Sequence, residues 1–462
     1  MRQFLQEIVR KQQGWVELRY HRRLQNQFVA QKGRVDRADS QVTAGVGVRV
    51  LEGGSWGFAS TVDADEAAVV AAIVRARENA RELAGIQREK IPALPAVALA
   101  DADAELDGYA ALLARPLDEK LAAAVALERE AAKAAGVIHT AAAGYSEMFE
   151  EKVVVTSDGA AASHRLARPE LRVIVYASED GDHQRAYTAL GVTGGWDDLF
   201  AHPSAGGIVE KTAKRAVDLL HAPRLPGGKA TVILAPSLVG LLSHEAIGHT
   251  VEADFVLSGS VAEGKVGERV ASELVTLRDA AMPERGAHAA GMIPFDDEGV
   301  PAQTTTLIED GVLVGYLHNR ETAARFGVAP TGNARAWLYS DSPLIRMRNT
   351  YIEPGTTPLA EIIAGTEDGF LLTGANNGQA DATGEFMFGT DCAVEIKKGK
   401  LGRKYREATV SGVAFDVLRT VDAVSEEFGW ELGAGYCGKH QAAKVDAGGP
   451  YLRCQATLGG VQ

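Results

Sequence analysis

Cysteine is scarce in this chain: Cys392, Cys437 and Cys454 are the only three among 462 residues. So few thiols cannot build a disulfide framework, and they fit a reducing compartment in which each is buried or used for chemistry. Aromatic residues are also sparse, at 6%. Long apolar runs are missing. The longest apolar stretches, Ala64–Ala76 and Ala230–Leu242, are both interrupted by polar residues. Neither approaches the roughly 18 consecutive apolar residues of a membrane span. The opening MRQFLQEIVRKQQGW is amphipathic and broken by charge, unlike the apolar core of a signal peptide. A cytoplasmic location with no membrane partner is expected. Positive charge is in deficit too: 48 Lys and Arg against 61 Asp and Glu leave a net charge of −13. That counts against a nucleic-acid partner, which needs a basic surface to displace counterions from phosphates.

What is present reads as an ordinary folded protein, with 46% apolar and 24% charged residues. The length suits two to four domains. Glycine is abundant, at 50 residues, which suggests many turns and strands. Trp15–His21, Asn26–Gln31, Val42–Leu51 and Ser55–Thr61 have the texture of strands, the last two turning at Glu52-Gly53-Gly54. Ala64–Leu83 carries an apolar stripe at helical spacing, with Asp63 as a possible cap. Gln87–Asp107, with Pro92 and Pro95, reads as a connection. A second helix over Asp118–Ala135 is followed by strand-like Val137–Ser146, Lys152–Thr156, Leu171–Ala177 and Gln184–Thr193, then a helix over Gly207–Leu220. Beyond Arg224–Lys229 one helix, about Pro236–Phe255, precedes a long region of short apolar pieces. Hairpin turns are expected there at Glu309-Asp310-Gly311 and Lys398-Gly399-Lys400. The expected class is α+β. An N-terminal α/β domain (1–110) and a middle α/β domain (111–228) contain helices and a mixed sheet. They lead to a mostly-β domain (229–462) carrying one metal-binding helix.

That helix holds the sharpest motif, His244-Glu245-Ala-Ile-Gly248-His249, an HExxxH pattern one residue longer than the HExxH of common zinc proteases. A catalytic zinc requires neutral imidazoles, an open position and a nearby carboxylate; Glu245 could take the water's proton. Five residues on a straight helix turn through about 140° beyond a full circle. His244 and His249 therefore share a metal only if the helix deforms, through the freedom of Gly248 or through a π-bulge. Otherwise they are two separate helix histidines. A third ligand would be distant in sequence. Cys437, in Gly433-Ala-Gly-Tyr-Cys-Gly-Lys439, is either that ligand or a buried loop thiol. Cys392 and Cys454 sit in strand-like stretches and read as core thiols. Glu252 and Asp254 could orient a ligand or be solvated helix-end carboxylates. Gly433–Gly438 also spells GxGxxG, but a dinucleotide site needs a following helix and a later acid. Ser243 beside His244 is no triad, since helix neighbours point apart.

Several blocks in one order then resemble the TldD/PmbA family of metalloproteases, also called modulators of DNA gyrase. They are Gly45-Val-Gly-Val-Arg-Val50 with Gly57-Phe-Ala-Ser-Thr61, His244–His249 followed by Glu252 and Asp254-Phe255, Phe295-Asp-Asp-Glu-Gly299, Leu307-Ile-Glu-Asp-Gly311 and Pro330-Thr-Gly-Asn-Ala-Arg335. Arg346-Met347 with Asn349-Thr350, Gly378-Gln379, Gly384-Glu-Phe386 and Cys437-Gly-Lys439 complete them. Thr250 stands where the family more often has Gly. The resemblance implies zinc held by His244, His249 and Cys437, with Glu245 as general base. It implies the catalytic TldD type rather than the PmbA (TldE) type, which lacks HExxxH. It also implies a dimer, either a homodimer or a heterodimer with a PmbA (TldE)-type paralogue, and an internal cleft taking unfolded, extended peptides by strand addition. A rival from another class is a non-catalytic peptide-binding or scaffold subunit with a closed, structural metal site. A DNA-associated modulator is the other rival, and the net charge gives it little support.

Overall fold

The computed structural model describes residues 1–91, 93–283, 285 and 289–459, with the backbone alone for Asn377. Pro92, placed above in a connection, lies outside them. Helix α1 (Arg2–Arg10) leads into β1 (Trp15–Gln31) and β2 (Arg34–Glu52). Their tight turn holds Lys32 and Gly33 at φ 55° and 73°, the mirror-image turn that matches strand twist. β3 (Ser55–Thr61) and α2 (Glu66–Ile86) follow. The cap of α2 is Asp65, not Asp63: the Asp65 carboxylate accepts from the Ala68 N–H at 2.9 Å. After β4 (Asp103–Glu105), α3 (Tyr109–Ala114) and α4 (Leu117–Lys133) come the long strands β5 (Ile138–Thr156) and β6 (Ala161–Glu179) and the shorter β7 (Asp182–Gly191). Helices α5 (Trp196–Ala201) and α6 (Ile208–Leu220) close this part. All seven strands form one mixed sheet, ordered β3-β2-β1-β5-β6, with β4 and β7 both on β6.

Two strands expected in pieces are continuous. Arg22–Gln25 in β1 and Glu147–Glu151 in β5 look like polar breaks. Instead, Arg23 and His21 meet Glu150 at 3.1 and 2.9 Å, and Glu147 accepts from Asn26 and Lys120. The charges are buried against one another, so the ladder runs through.

The second half is built on β8 (Gly228–Leu234), then α7 (Pro236–Leu241), an irregular helical stretch, and α8 (Ala253–Leu257). The strands after them are β9 (Leu277–Ala280), β10 (Thr304–Glu309), β11 (Val312–Leu313), β12 (Ala334–Arg335), β13 (Leu344–Ile345) and β14 (Asn349–Ile352). They continue with β15 (Asp368–Ala380), β16 (Glu385–Lys397), β17 (Lys400–Val413), β18 (Ala423–Trp430), β19 (Tyr436–Lys439), β20 (Gln441–Lys444) and β21 (Asp446–Gly459). Pairings β21–β17, β17–β16, β16–β15, β15–β8 and β8–β21 close a ring of five strands. Leu238, Val239, Leu242, Ala246 and Ile247 from the helix share one apolar core with Val232, Leu234, Leu372, Phe388, Val410 and Leu452 of the ring. Burying such side chains stabilises by about 1.5–3 kcal/mol each, which seats the helix firmly. Among the described residues no helix is long and apolar enough to cross a membrane.

Candidate metal centre

Pro236 opens α7 at its first position, where its missing N–H costs nothing. The helix expected over Pro236–Phe255 is not uniform. Residues Leu242–Gly248 form a π-helical turn, and His249–Val251 a 3₁₀ turn. The His249 N–H donates to the carbonyl of His244, five residues back. That wide turn stacks positions i and i+5 on one face. Gly248 has ordinary helical dihedrals, φ −54° and ψ −48°. Its freedom is therefore not what bends the chain; its lack of a side chain admits Met347. The buried Ser243 hydroxyl donates back to the Val239 carbonyl at 2.8 Å, a bond that competes with the regular ladder and leaves Ser243 no triad role.

The imidazoles of His244 and His249 stand edge to face, with centroids 5.2 Å apart. Cys437 comes from β19, opposite Ala443 on β20. Arg346 fixes it by donating to its carbonyl at 2.7 Å. The Cys437 Sγ lies 3.1 Å from His249 Nε2, and donor atoms of His244, His249 and Cys437 all fall within 4.8 Å of one another. Glu252, fully buried, accepts from His249 Nδ1 at 3.0 Å. That bond sets the tautomer and points Nε2 at the sulfur. Lys439 donates to Glu252 at 2.9 Å and to Asp254 at 2.8 Å. So Glu252 and Asp254 are partnered carboxylates, not solvated helix ends. The sequence alone assigns Lys439 no role, although, two residues after Cys437 on a strand, it shares that residue's face. Glu245 stays partly exposed, with Oε2 3.7 Å from His249 Nε2.

Electrostatics separate the three thiols. Burial alone would raise Cys437, but His244 and His249 beside it pull it down to about 4. Burial pushes Cys454 up to about 12 and raises Cys392 as well. For His244, burial is outweighed by the Cys437 thiolate, and the net shift is upward. For His249, burial is outweighed first by Glu252, then by Cys437, and the imidazole rises well above its usual value. Two nitrogens crowded around a sulfur form a pocket that could hold a divalent cation, which would displace protons on binding. The ring nitrogens of His244, buried with no hydrogen-bond partner, fit that reading. Two imidazoles and a thiolate suit zinc, which is borderline-soft and binds N and S.

The GxGxxG pattern ends in strand β19, and among the described residues no helix follows it, so the dinucleotide context is not met there.

Residues 16–80, 111–220 and 227–460 match, in chain order, domain 1, the central domain and the C-terminal domain of the PmbA/TldA metallopeptidases. A metalloprotease of Methanocaldococcus jannaschii is 34% identical over 439 residues, covering 94% of each chain. A zinc metalloprotease TldD homologue of Saccharolobus solfataricus is 33% identical over 53% of this chain and 55% of its own. The crystal structure of TldE from Thermococcus kodakarensis shares the fold, with a TM-score of 0.78 at 19% identity over 98% of this chain and 99% of that one. On the three matched segments and the archaeal relatives, the chain belongs to the PmbA/TldA metallopeptidase family.

Proposed function

We propose that this chain is a zinc-dependent peptidase that hydrolyses unfolded or extended peptides, with His244, His249 and Cys437 as metal ligands and Glu245 as general base. The observation that carries the reading is the π turn: it sets two imidazoles five residues apart against a sulfur, with a half-open carboxylate alongside. Zinc held there would supply Lewis acidity, polarising a carbonyl and easing ionisation of water. The chain's own groups do the rest. Glu245 accepts the proton of the attacking water and returns it to the departing amine. Glu252 keeps the His249 ring oriented. Three protein donors, as found among the described residues, leave a position open, whereas a structural zinc takes four.

Extended substrates suit an open strand edge. β3 pairs with β2 from Val46 onward, and among the described residues the outer edge of β2 from Arg34 to Ala44 has no strand partner. Arg37, Asp39 and Gln41 of that segment line a groove of about 420 Å³ shared with Trp337 and Tyr436, the residue before Cys437. Strand addition reads main chain before side chain and so implies low sequence preference. The working form is proposed as a dimer, either of two copies or with a PmbA (TldE)-type paralogue. The chain acts in the cytoplasm without nucleic acid.

The test is Glu245→Ala with metal analysis and hydrolysis of an unfolded protein measured together. Loss of cleavage with zinc retained supports the assignment. Undiminished cleavage refutes Glu245 as base, and equal cleavage of folded and unfolded forms of one protein refutes the substrate class.

A further inference from the structure

We infer that Lys439 is a positioning residue that holds the Cys437 strand and the His249 end of the helix at metal-binding distance; this rests on the metal-site reading proposed above. Lys439 follows Cys437 by two residues on β19, so both side chains leave the same face of that strand. Its side chain is only 5% exposed. It donates to Glu252 at 2.9 Å, to Asp254 at 2.8 Å and to the Ile345 carbonyl at 3.1 Å. Three N–H groups thus meet three elements: the end of the 3₁₀ turn, the start of α8 and strand β13. The ammonium also lies 4.3 Å from the centroid of the Phe255 ring, which in turn stands edge-on to His249. The backbone of β19 carries Cys437 and Lys439 together, and hydrogen bonds then run from Lys439 to Glu252 and from Glu252 to His249. This route joins two donors 188 residues apart in sequence.

The geometry asks for a lysine. A compact ammonium directs three donors to separate acceptors, whereas a planar guanidinium presents a fork. Removing the ammonium leaves Glu252 buried with only His249 to pair with, and unties β19 from the helix. The loss expected for a group that orients a ligand is about 10–100-fold in metal affinity.

The test uses the full chain, stripped of metal and titrated with Co²⁺, whose thiolate-to-metal absorption reports the sulfur–metal bond. The unaltered protein is expected to show that band; its absence overturns the metal-site reading and this inference with it. With the band present, Lys439→Met is expected to weaken cobalt binding about 10–100-fold and to shift or diminish the band. Unchanged affinity and spectrum refute the role of Lys439 while leaving the metal site standing. A merely structural lysine lowers stability without moving the spectrum of the protein that remains folded, and that outcome also counts against the inference. In a Glu252→Gln background, Lys439→Met should cost less than about threefold more, because the two act as one unit; full additivity refutes the route through Glu252. If Lys439→Met does not fold, Lys439→Arg carries the same two readouts, with a smaller loss of affinity expected and a wild-type spectrum and affinity as the refuting result.

Discussion

A Cβ added to Gly248 would stand 2.0 Å from the Sδ of Met347. The two residues interlock at the wide turn that brings the histidines together. Gly248→Ala therefore forces either Met347 or the turn to move. Overpacking of this kind costs about 1–3 kcal/mol, and movement of the turn also separates the imidazoles. Gly248→Ala is expected to lower both the urea midpoint and zinc affinity, and a Met347→Ala change in the same chain should restore much of each. A Gly248→Ala protein with native stability would show that the contact is slack.

The thiols should differ in reactivity. With its thiol pulled to about 4 by the two histidines, Cys437 is a thiolate at pH 6 in the metal-free protein. Cys392 and Cys454, raised by burial, remain thiols. Since the thiolate is the nucleophile, iodoacetamide at pH 6 should label Cys437 first, and added zinc should protect it. Peptide mapping by mass spectrometry reads the order; labelling of Cys454 ahead of Cys437 contradicts it.

Between the two halves lies a cluster of buried charge. Burial would raise Glu150, yet Lys152, His21 and Arg168 around it hold its carboxyl well below the usual range. Arg168 donates to it at 3.0 Å and Arg23 at 3.1 Å. Glu150→Gln leaves those cations without their counter-charge, a loss of about 3–5 kcal/mol for a broken buried pair. Equilibrium unfolding should register it, and a change below 1 kcal/mol would mean that the cluster is wetter than its burial implies.

This cluster also explains what the sequence conceals. Hairpin turns, Ala-rich helices and the HExxxH motif are legible locally, because glycine geometry and helical spacing act over a few residues. The continuity of β1 and β5 is not. Arg22–Gln25 and Glu147–Glu151 break the apolar alternation, and only their partners across the sheet and from the other half make them interior strand. The site divides the same way. The HExxxH spacing singles out His244, Glu245 and His249 as candidates while leaving two separate helix histidines as the alternative, and the family resemblance adds Cys437. The π turn, with Met347 filling the place beside Gly248, and the ties of Lys439 to Glu252 and Asp254 come to light only in the tertiary structure. The cap at Asp65 rather than Asp63 is a two-residue shift that strand β3 and the loop after it decide.

Asp446 gives a pH signature. Burial pushes its carboxyl up to about 7 despite the N–H groups of Ala290, Ala447 and Leu432 directed at it. The folded protein thus binds this proton more tightly than the unfolded chain, whose value is near 3.8. The stability it contributes is complete below about 3.8 and is lost as pH rises through about 7. Asp446→Asn should flatten that part of the pH profile of the urea midpoint. A slope identical to the parent's would assign the dependence to another group.

Closure of the five-stranded ring has a bearing on biosynthesis. The two imidazoles leave the ribosome long before the sulfur, and the sulfur's hairpin directly precedes β21, the strand that shuts the ring on both sides. Chains are made from the amino end. On the proposed ligand set, a growing polypeptide would hold only the two imidazoles until β19 is made, and metal capture would be a late event that reports on the closing barrel.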